Sequence, residues 1–208
     1  MTTTAHAPHL ALGGPTRWRA IDIITLAITG VAFGVAFWVW DIALYPGVSA
    51  ALEAFPPAKS LTLGVWLLPC VFGAFLVRRP GAALICEFVA ATVEMGLGNA
   101  WGGGVLISAF LQALGVELVV AALIWRRWGL PVAMAGGAAA AVLELAAYEW
   151  WTYIAEFSWG WKFASLGFAV VSGVLVAGVG GWYLLRAMTG TGALDAFPPG
   201  RERLANRS

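Results

Sequence analysis

Residues 60–127 read SLTLGVWLLPCVFGAFLVRRPGAALICEFVAATVEMGLGNAWGGGVLISAFLQALGVELVVAALIWRR. Three apolar stretches of membrane-spanning length lie in this segment. They are divided by Arg78-Arg79-Pro80-Gly81 and by Gly102-Gly103-Gly104, and closed by Arg126-Arg127. The first divider is basic, the second carries no positive charge, and the closing pair is basic again. Membrane proteins keep Lys and Arg in their cytoplasmic loops, so this alternation orients the helices as well as separating them.

The pattern extends in both directions. Apolar stretches at 20–45, 60–77, 81–98, 105–125, 131–154 and 163–186 predict six transmembrane helices. Breaks at Tyr45-Pro46-Gly47, Pro56-Pro57, Gly129 with Pro131, and Gly160 support the divisions. Arg17 and Arg19 precede the first helix, and Arg186, Arg201, Arg203 and Arg207 follow the last. Only Lys59 and Lys162 fall on the opposite side. The expected fold is an all-α integral membrane protein, a six-transmembrane-helix bundle with N and C termini cytoplasmic. Residues 1–19 and 189–208 are polar and read as flexible cytoplasmic tails around a membrane domain at 20–188. The first apolar stretch is too long for a signal-peptide core and reads as a retained helix.

Composition agrees. The chain has 208 residues, 61% hydrophobic and 11% charged, more apolar than a soluble domain of that size needs. A net charge of +1 gives no sign of a nucleic-acid partner, and none is expected; membrane lipid is. Cys70 and Cys86 fall on neighbouring helices and read as buried free thiols. No Cys/His cluster occurs, so neither a metal nor a cofactor is expected.

Several enzyme classes are excluded. No G-x-x-x-x-G-K-[ST] motif is present, so the chain has no P-loop for ATP. Its only histidines, His6 and His9, lie in the N-terminal tail, away from any intramembrane serine. Asp22 and Asp41 lie near opposite ends of one helix, about 28 Å apart at 1.5 Å per residue, and cannot form an aspartyl dyad. The chain is not expected to be an enzyme.

The other interior charges are acidic: Glu87, Glu94, Glu117, Glu144 and Glu149. A charge at a helix centre costs roughly 2.5–3.5 kcal/mol on insertion scales, and no basic residue shares a span with these. A cationic ligand, protonation, water or hydrogen bonds would each compensate. Glu87 lies about 10 Å and Glu94 about 21 Å along the third helix, on one face. On the fifth helix, Glu144, Tyr148 and Trp151 share a face. Gln112 and Glu117 are about 140° apart around the fourth helix and cannot both face one ligand.

Aromatic residues crowd the outer half: Trp38, Trp40, Tyr45, Trp66, Trp101, Tyr148, Trp150, Trp151, Tyr153, Trp159 and Trp161. An interfacial belt explains some of them. The inner side has far fewer, so the excess also fits an outward-facing aromatic pocket with Glu94 and Glu144 at its floor. Such a pocket suits a flat, cationic, nitrogen-rich ring, held by stacking, cation–π contact and amide hydrogen bonds from Gln112 and Asn99.

The segments Arg78-Arg79-Pro80-Gly81-Ala82-Ala83, Gly98-Asn99-Ala100-Trp101-Gly102 and Gln112-Ala113-Leu114-Gly115-Val116-Glu117, with Glu87 and Glu94 between, resemble the YkoE family. That family is the thiamine/hydroxymethylpyrimidine-type substrate-binding (S) component of energy-coupling factor (ECF) vitamin transporters. The resemblance covers about a third of the chain. It departs at Asn99, where the family has Ser, and at Ala113 and Val116. It implies a subunit of the bacterial plasma membrane that binds thiamine or hydroxymethylpyrimidine. Energy would come from a transmembrane coupling subunit and two ABC-type ATPase subunits. Within it, Glu94, Trp101 and Gln112 are expected at the ligand, and Glu87 and Glu117 also match family positions. In S components the first helix commonly packs on the coupling protein through small residues. Gly30, Ala32, Gly34 and Ala36 are the candidates here.

The outer loop 46–59 carries Val48, Leu52 and Phe55 at helical spacing, which fits either a lid or an interfacial segment. Two rival functions remain open on sequence alone. One is a secondary transporter using the glutamates as proton relays. The other is a structural subunit without a ligand.

Overall fold

Buried positions recur at helical spacing along the first span. In α1, Ala20–Val39, one stripe buries Asp22, Leu26, Gly30, Gly34 and Phe37. The computed structural model describes residues 17–206, and every regular element among these is helical. The N-terminal tail as far as residue 16, with His6 and His9, and Arg207 lie outside the described residues.

The first helix does not stop at Tyr45-Pro46-Gly47 as predicted. A widened π turn, Trp40–Leu44, leads directly into α2, Tyr45–Ala51. Pro46 lies in the first turn of α2, a position where its missing N–H and fixed φ are tolerated. Most of the expected first half of the 46–59 loop is therefore helix. The chain then turns into a 3-10 segment, Pro56–Val65, and continues as α3, Leu68–Val77. Such long 3-10 runs are uncommon. The Ser172 hydroxyl stitches this one in place, accepting from the Gly64 N–H at 2.9 Å and donating to the Leu61 carbonyl at 2.5 Å.

Next come α4, Ala82–Leu97, a single turn at Gly102–Gly104, and α5, Val105–Ala122. After α6, Leu130–Ala147, a turn at Glu149–Trp151 leads to α7, Trp159–Ser172. A π stretch, Gly173–Gly180, joins α7 to α8, Gly181–Gly190, and α9, Pro198–Ala205, follows. Helix α4 is central, packed on α1, α3 and α5. Helix α6 packs on α5, α7 and the π stretch, and α7 on the 3-10 segment. Five helical runs are long and apolar enough to cross a membrane: Ala20–Ala51, Pro56–Val77, Gly102–Ala122, Leu130–Trp151 and Trp159–Gly190. The remaining expected span is α4. Its 16 residues measure about 24 Å at 1.5 Å per residue, shorter than the usual span.

The small residues of α1 divide between two faces. Gly30 and Gly34 are buried against α4, and this corrects their expected place on an outer docking face. A Cβ on Gly30 would lie 2.7 Å from the Cys86 carbonyl, and one on Gly34 would lie 2.5 Å from the Ala90 carbonyl. The glycines therefore let α1 and α4 meet backbone to backbone. Ala32 and Ala36 are exposed, on an apolar face with Ile28, Val31, Val35 and Val39. Cys70 and Cys86 are buried free thiols.

At the arginine-rich end, Asp22 is wholly buried and ion-paired twice. Its carboxylate lies 2.6 Å from Arg19 Nη2 and 2.9 Å from Arg79 Nε. The C-terminal segment, expected as a flexible tail from 189, instead packs on this end. Leu194 and Phe197 are buried, the Arg19 guanidinium lies 5.7 Å over the Phe197 ring, and Glu202 pairs with Arg78. Two apolar anchors and an ion pair hold a segment whose polar composition alone reads as free.

Gly34→Val forces a side chain into the α1–α4 contact and is expected to destabilise the fold by about 1–3 kcal/mol. Ala36→Val on the exposed face should change little. Thermal unfolding of the two variants in detergent measures the difference, and equal Tm values would contradict this packing.

Candidate functional site

A cavity of about 560 Å³ lies between the helix ends remote from the arginines. One wall is aromatic. Tyr45, Trp66 and Trp101 meet edge to face, with centroid separations of 5.5 Å, 5.3 Å and 5.4 Å. Each comes from a different part of the chain: Tyr45 from the start of α2, Trp66 from the link between the 3-10 segment and α3, and Trp101 from the turn before α5. Tyr153 and Phe157, past the end of α6, add further rings.

The facing surfaces are polar. Glu87, Ala91 and Glu94 project from one face of α4, Ser108 and Gln112 from one face of α5, and Glu144 from the end of α6. Glu149 lines the cavity as well. Glu144 lies in hydrogen-bonding reach of Gln112 and Ser108, and Glu87 of the Cys70 backbone and thiol. Glu87 Oε2, Glu94 Oε1, Glu144 Oε2 and Gln112 Oε1 nevertheless accept no hydrogen bond from the protein, and all four residues are buried. Buried acceptors without donors are costly unless something else satisfies them. Lys59 is the one basic residue among the described lining residues, and it is already paired with Glu53 at the cavity mouth.

Residues 21–143 match the family model for the permease component of ABC-type cobalt transport systems. A Bacillus subtilis (strain 168) protein named as an HMP/thiamine permease, YkoE, is 30% identical over 185 residues, 89% of this chain and 92% of that one. A crystal structure of an S-component of an ECF transporter is similar with a TM-score of 0.83 at 30% identity. The similarity covers 92% of this chain and 95% of that chain. This chain belongs to the ECF S components. It is accordingly a multi-pass protein of the bacterial plasma membrane, and its relatives are transporter components rather than enzymes.

Of the nine candidate site residues, Glu87, Glu94, Asn99, Trp101, Gln112, Glu117, Glu144, Tyr148 and Trp151, this S component brings five to the cavity: Glu87, Glu94, Trp101, Gln112 and Glu144. The other four stand elsewhere. Asn99 makes a turn instead: its Oδ1 accepts from the Trp101 N–H at 2.9 Å and from the Gly102 N–H at 2.5 Å. Its side chain holds the loop that carries Trp101. Glu117 faces the start of α4, where its Oε1 accepts from the Ala83 N–H at 3.0 Å, an orphan donor of the helix terminus. The helical spacing that sets Tyr148 and Trp151 on the Glu144 face does not reach them, because α6 ends at Ala147. Tyr148 turns to Tyr153, at 5.6 Å between centroids. Trp151 is 61% exposed, beside Lys162, whose ammonium lies 5.4 Å over its ring.

Sequence reasoning missed Asp41 as a neighbour of the site. It is buried at the π turn that ends α1, in hydrogen-bonding reach of Glu94 and of the Trp66 indole. The signal was available. Asp41 continues the α1 stripe that runs through Gly30, Gly34 and Phe37, four residues beyond the last of these.

Replacing Glu117 with Ala is expected to leave the cavity lining in place and to cost about 1–2 kcal/mol, the usual loss on removing a helix cap. Thermal unfolding in detergent tests this. An unchanged Tm would show that the Ala83 contact contributes nothing.

Proposed function

We propose that this S component binds thiamine or its hydroxymethylpyrimidine precursor for uptake. A separate transmembrane coupling subunit and two ABC-type ATPase subunits would supply the energy. The observation that carries the reading is the meeting, in one cavity, of an aromatic wall with carboxylates that lack protein donors. Trp and Tyr faces attract a cationic ring, and unpaired carboxylates supply its counter-charge. Gln112 and Ser108 offer neutral donors and acceptors for ring nitrogens and an exocyclic amine. A volume of about 560 Å³ lies in the range usual for small-molecule pockets.

The name of the YkoE relative points the same way, whereas the matched family model is described by cobalt. The aromatic wall favours the organic cation. Among the described residues, no group of three or more His, Cys, Asp or Glu stands close enough to hold a metal ion.

In this reading residues 20–188 form the membrane domain and α4 is its sixth span. The arginine-rich end and both termini are cytoplasmic, and the cavity faces outward. Glu94, Trp101, Gln112 and Glu144 contact the ligand, with Glu87 beneath them and Asn99 holding the Trp101 loop. The exposed α1 face around Ala32 and Ala36 is where the coupling subunit would pack, since small side chains permit close helix approach.

Thiamine binding to the purified chain in detergent, followed by tryptophan quenching, tests the proposal, with hydroxymethylpyrimidine alongside and riboflavin and biotin by calorimetry. Saturable binding of thiamine or its pyrimidine is expected, and Trp101→Ala should weaken it about tenfold or more, the loss of a desolvated cation–π contact. Glu94→Gln should weaken thiamine more than neutral hydroxymethylpyrimidine. Equal losses for both ligands would remove the charge-pairing argument, and no binding of either to folded protein would overturn the assignment.

A further inference from the structure

Asp41 and Glu94 approach one another at the edge of the cavity, and the reason lies in the α1–α4 contact. Gly30 lies against Cys86 and Val89, and Gly34 against Ala90 and Val93. The contacts advance in the same direction on both helices, so α1 and α4 run parallel. The next buried turns along each bring Asp41 to Glu94. Asp41 is 8% exposed and Glu94 is 2% exposed. Neither Asp41 oxygen accepts a well-formed hydrogen bond, nor does Glu94 Oε1, although the Trp66 indole stands beside both residues.

We infer that Asp41 senses the ligand's charge through Glu94, which lines the cavity while Asp41 stands behind it. With Glu94 it forms a carboxyl pair that holds one proton in the ligand-free protein and gives it up when a cationic ligand binds. The inference rests on the function proposed above. Two carboxylates in contact repel strongly away from water, and one shared proton relieves that repulsion. The surroundings reinforce the need. From α4 the pair is faced by Glu87, from the α6 end by Glu144 and Glu149, and from α2 by Tyr45. The α5 residues, Ser108 and Gln112, are uncharged. Lys59 at the mouth is the only cation on the described lining, and Glu53 pairs with it.

When a thiazolium enters, its fixed charge replaces that of the proton, which leaves through the cavity to water. One positive charge enters and one departs, so the net charge of the site is unchanged. A neutral pyrimidine brings no charge and displaces no proton. The pair thus distinguishes ligands by charge, and it ties affinity for a cation to pH.

Calorimetry of thiamine binding in two buffers of different ionisation heat, from about pH 6 to about pH 8, counts the protons released. About one proton per thiamine is expected, with affinity rising about tenfold per pH unit while the pair keeps its proton. Hydroxymethylpyrimidine should release none. In Asp41→Asn the release should vanish while thiamine still binds, whereas Glu144→Gln should retain it whatever its effect on affinity. Glu94→Gln removes the other half of the pair and serves as the second variant if Asp41→Asn does not fold. Thiamine bound without proton release, or release undiminished in both pair variants, would overturn the inference and leave the proposed ligand standing. Failure of folded wild-type protein to bind thiamine at any pH would overturn both.

Discussion

The backbone contact between α1 and α4 is the constraint on which the site depends. Without Cβ atoms at Gly30 and Gly34, the two helices lie close enough for side chains one or two turns further on to share a small space. Those side chains are Phe37 and Asp41 on α1 and Glu94 on α4. A wider crossing would leave each carboxyl with its own surroundings. The close one places them together beside Trp66 and at the edge of the cavity. Packing by the smallest residue therefore determines the electrostatics of the most chemically distinctive part of the protein.

Departures from regular α-helix shape the rest. The π turn at Trp40–Leu44 carries α1 through Pro46, so Tyr45 reaches the aromatic wall from a continuous helix rather than from a loop. The 3-10 segment Pro56–Val65 winds more tightly than an α-helix and delivers Lys59, Thr62 and Leu63 to the cavity before Trp66. The end of α6 at Ala147 redirects the chain, so that Glu149, Tyr153 and Ile154 line the cavity while Trp151 does not. Each irregularity adds side chains that a straight helix would have turned towards lipid or neighbouring helices.

These same places mark where sequence reading succeeds and where it stops. The alternation of arginine loops and apolar stretches was legible because bilayer thickness and charge impose it locally. Glu87, Glu94, Gln112 and Glu144 could be placed because each stands inside a regular helix, where spacing translates directly into facing. Tyr148 and Trp151 could not, because spacing carries no information beyond a helix end that the sequence does not announce with Gly or Pro. Asn99 and Glu117 illustrate a different limit. Each is polar and lies near the expected pocket, yet each spends its oxygen on backbone N–H groups. Residue type cannot separate an acceptor waiting for a ligand from one already used by the fold. Gly30 and Gly34 posed the same ambiguity, since a small-residue motif serves internal and external helix contacts equally well. The docked C-terminal segment depended on a few anchors, Leu194, Phe197 and Glu202, too sparse to stand out from a polar tail.

The two ends of the molecule treat charge in opposite ways, and the contrast bears on which end does the binding. At the arginine-rich end the buried acid is matched. Asp22 meets Arg19 and Arg79, and Arg78 meets Glu202. Breaking a buried pair leaves an uncompensated charge, so matched groups of this kind resist rearrangement. At the cavity end Glu87, Glu94, Glu144 and Asp41 retain oxygens without protein donors. Stability alone would favour apolar replacements there, because an unsatisfied buried carboxyl weakens a fold that a leucine would strengthen. The free acceptors are understandable if their partner is a molecule that arrives and leaves. A site built to release its cargo does better with acceptors that the protein itself leaves incomplete, and the paired end supplies the rigidity against which that incompleteness can be maintained.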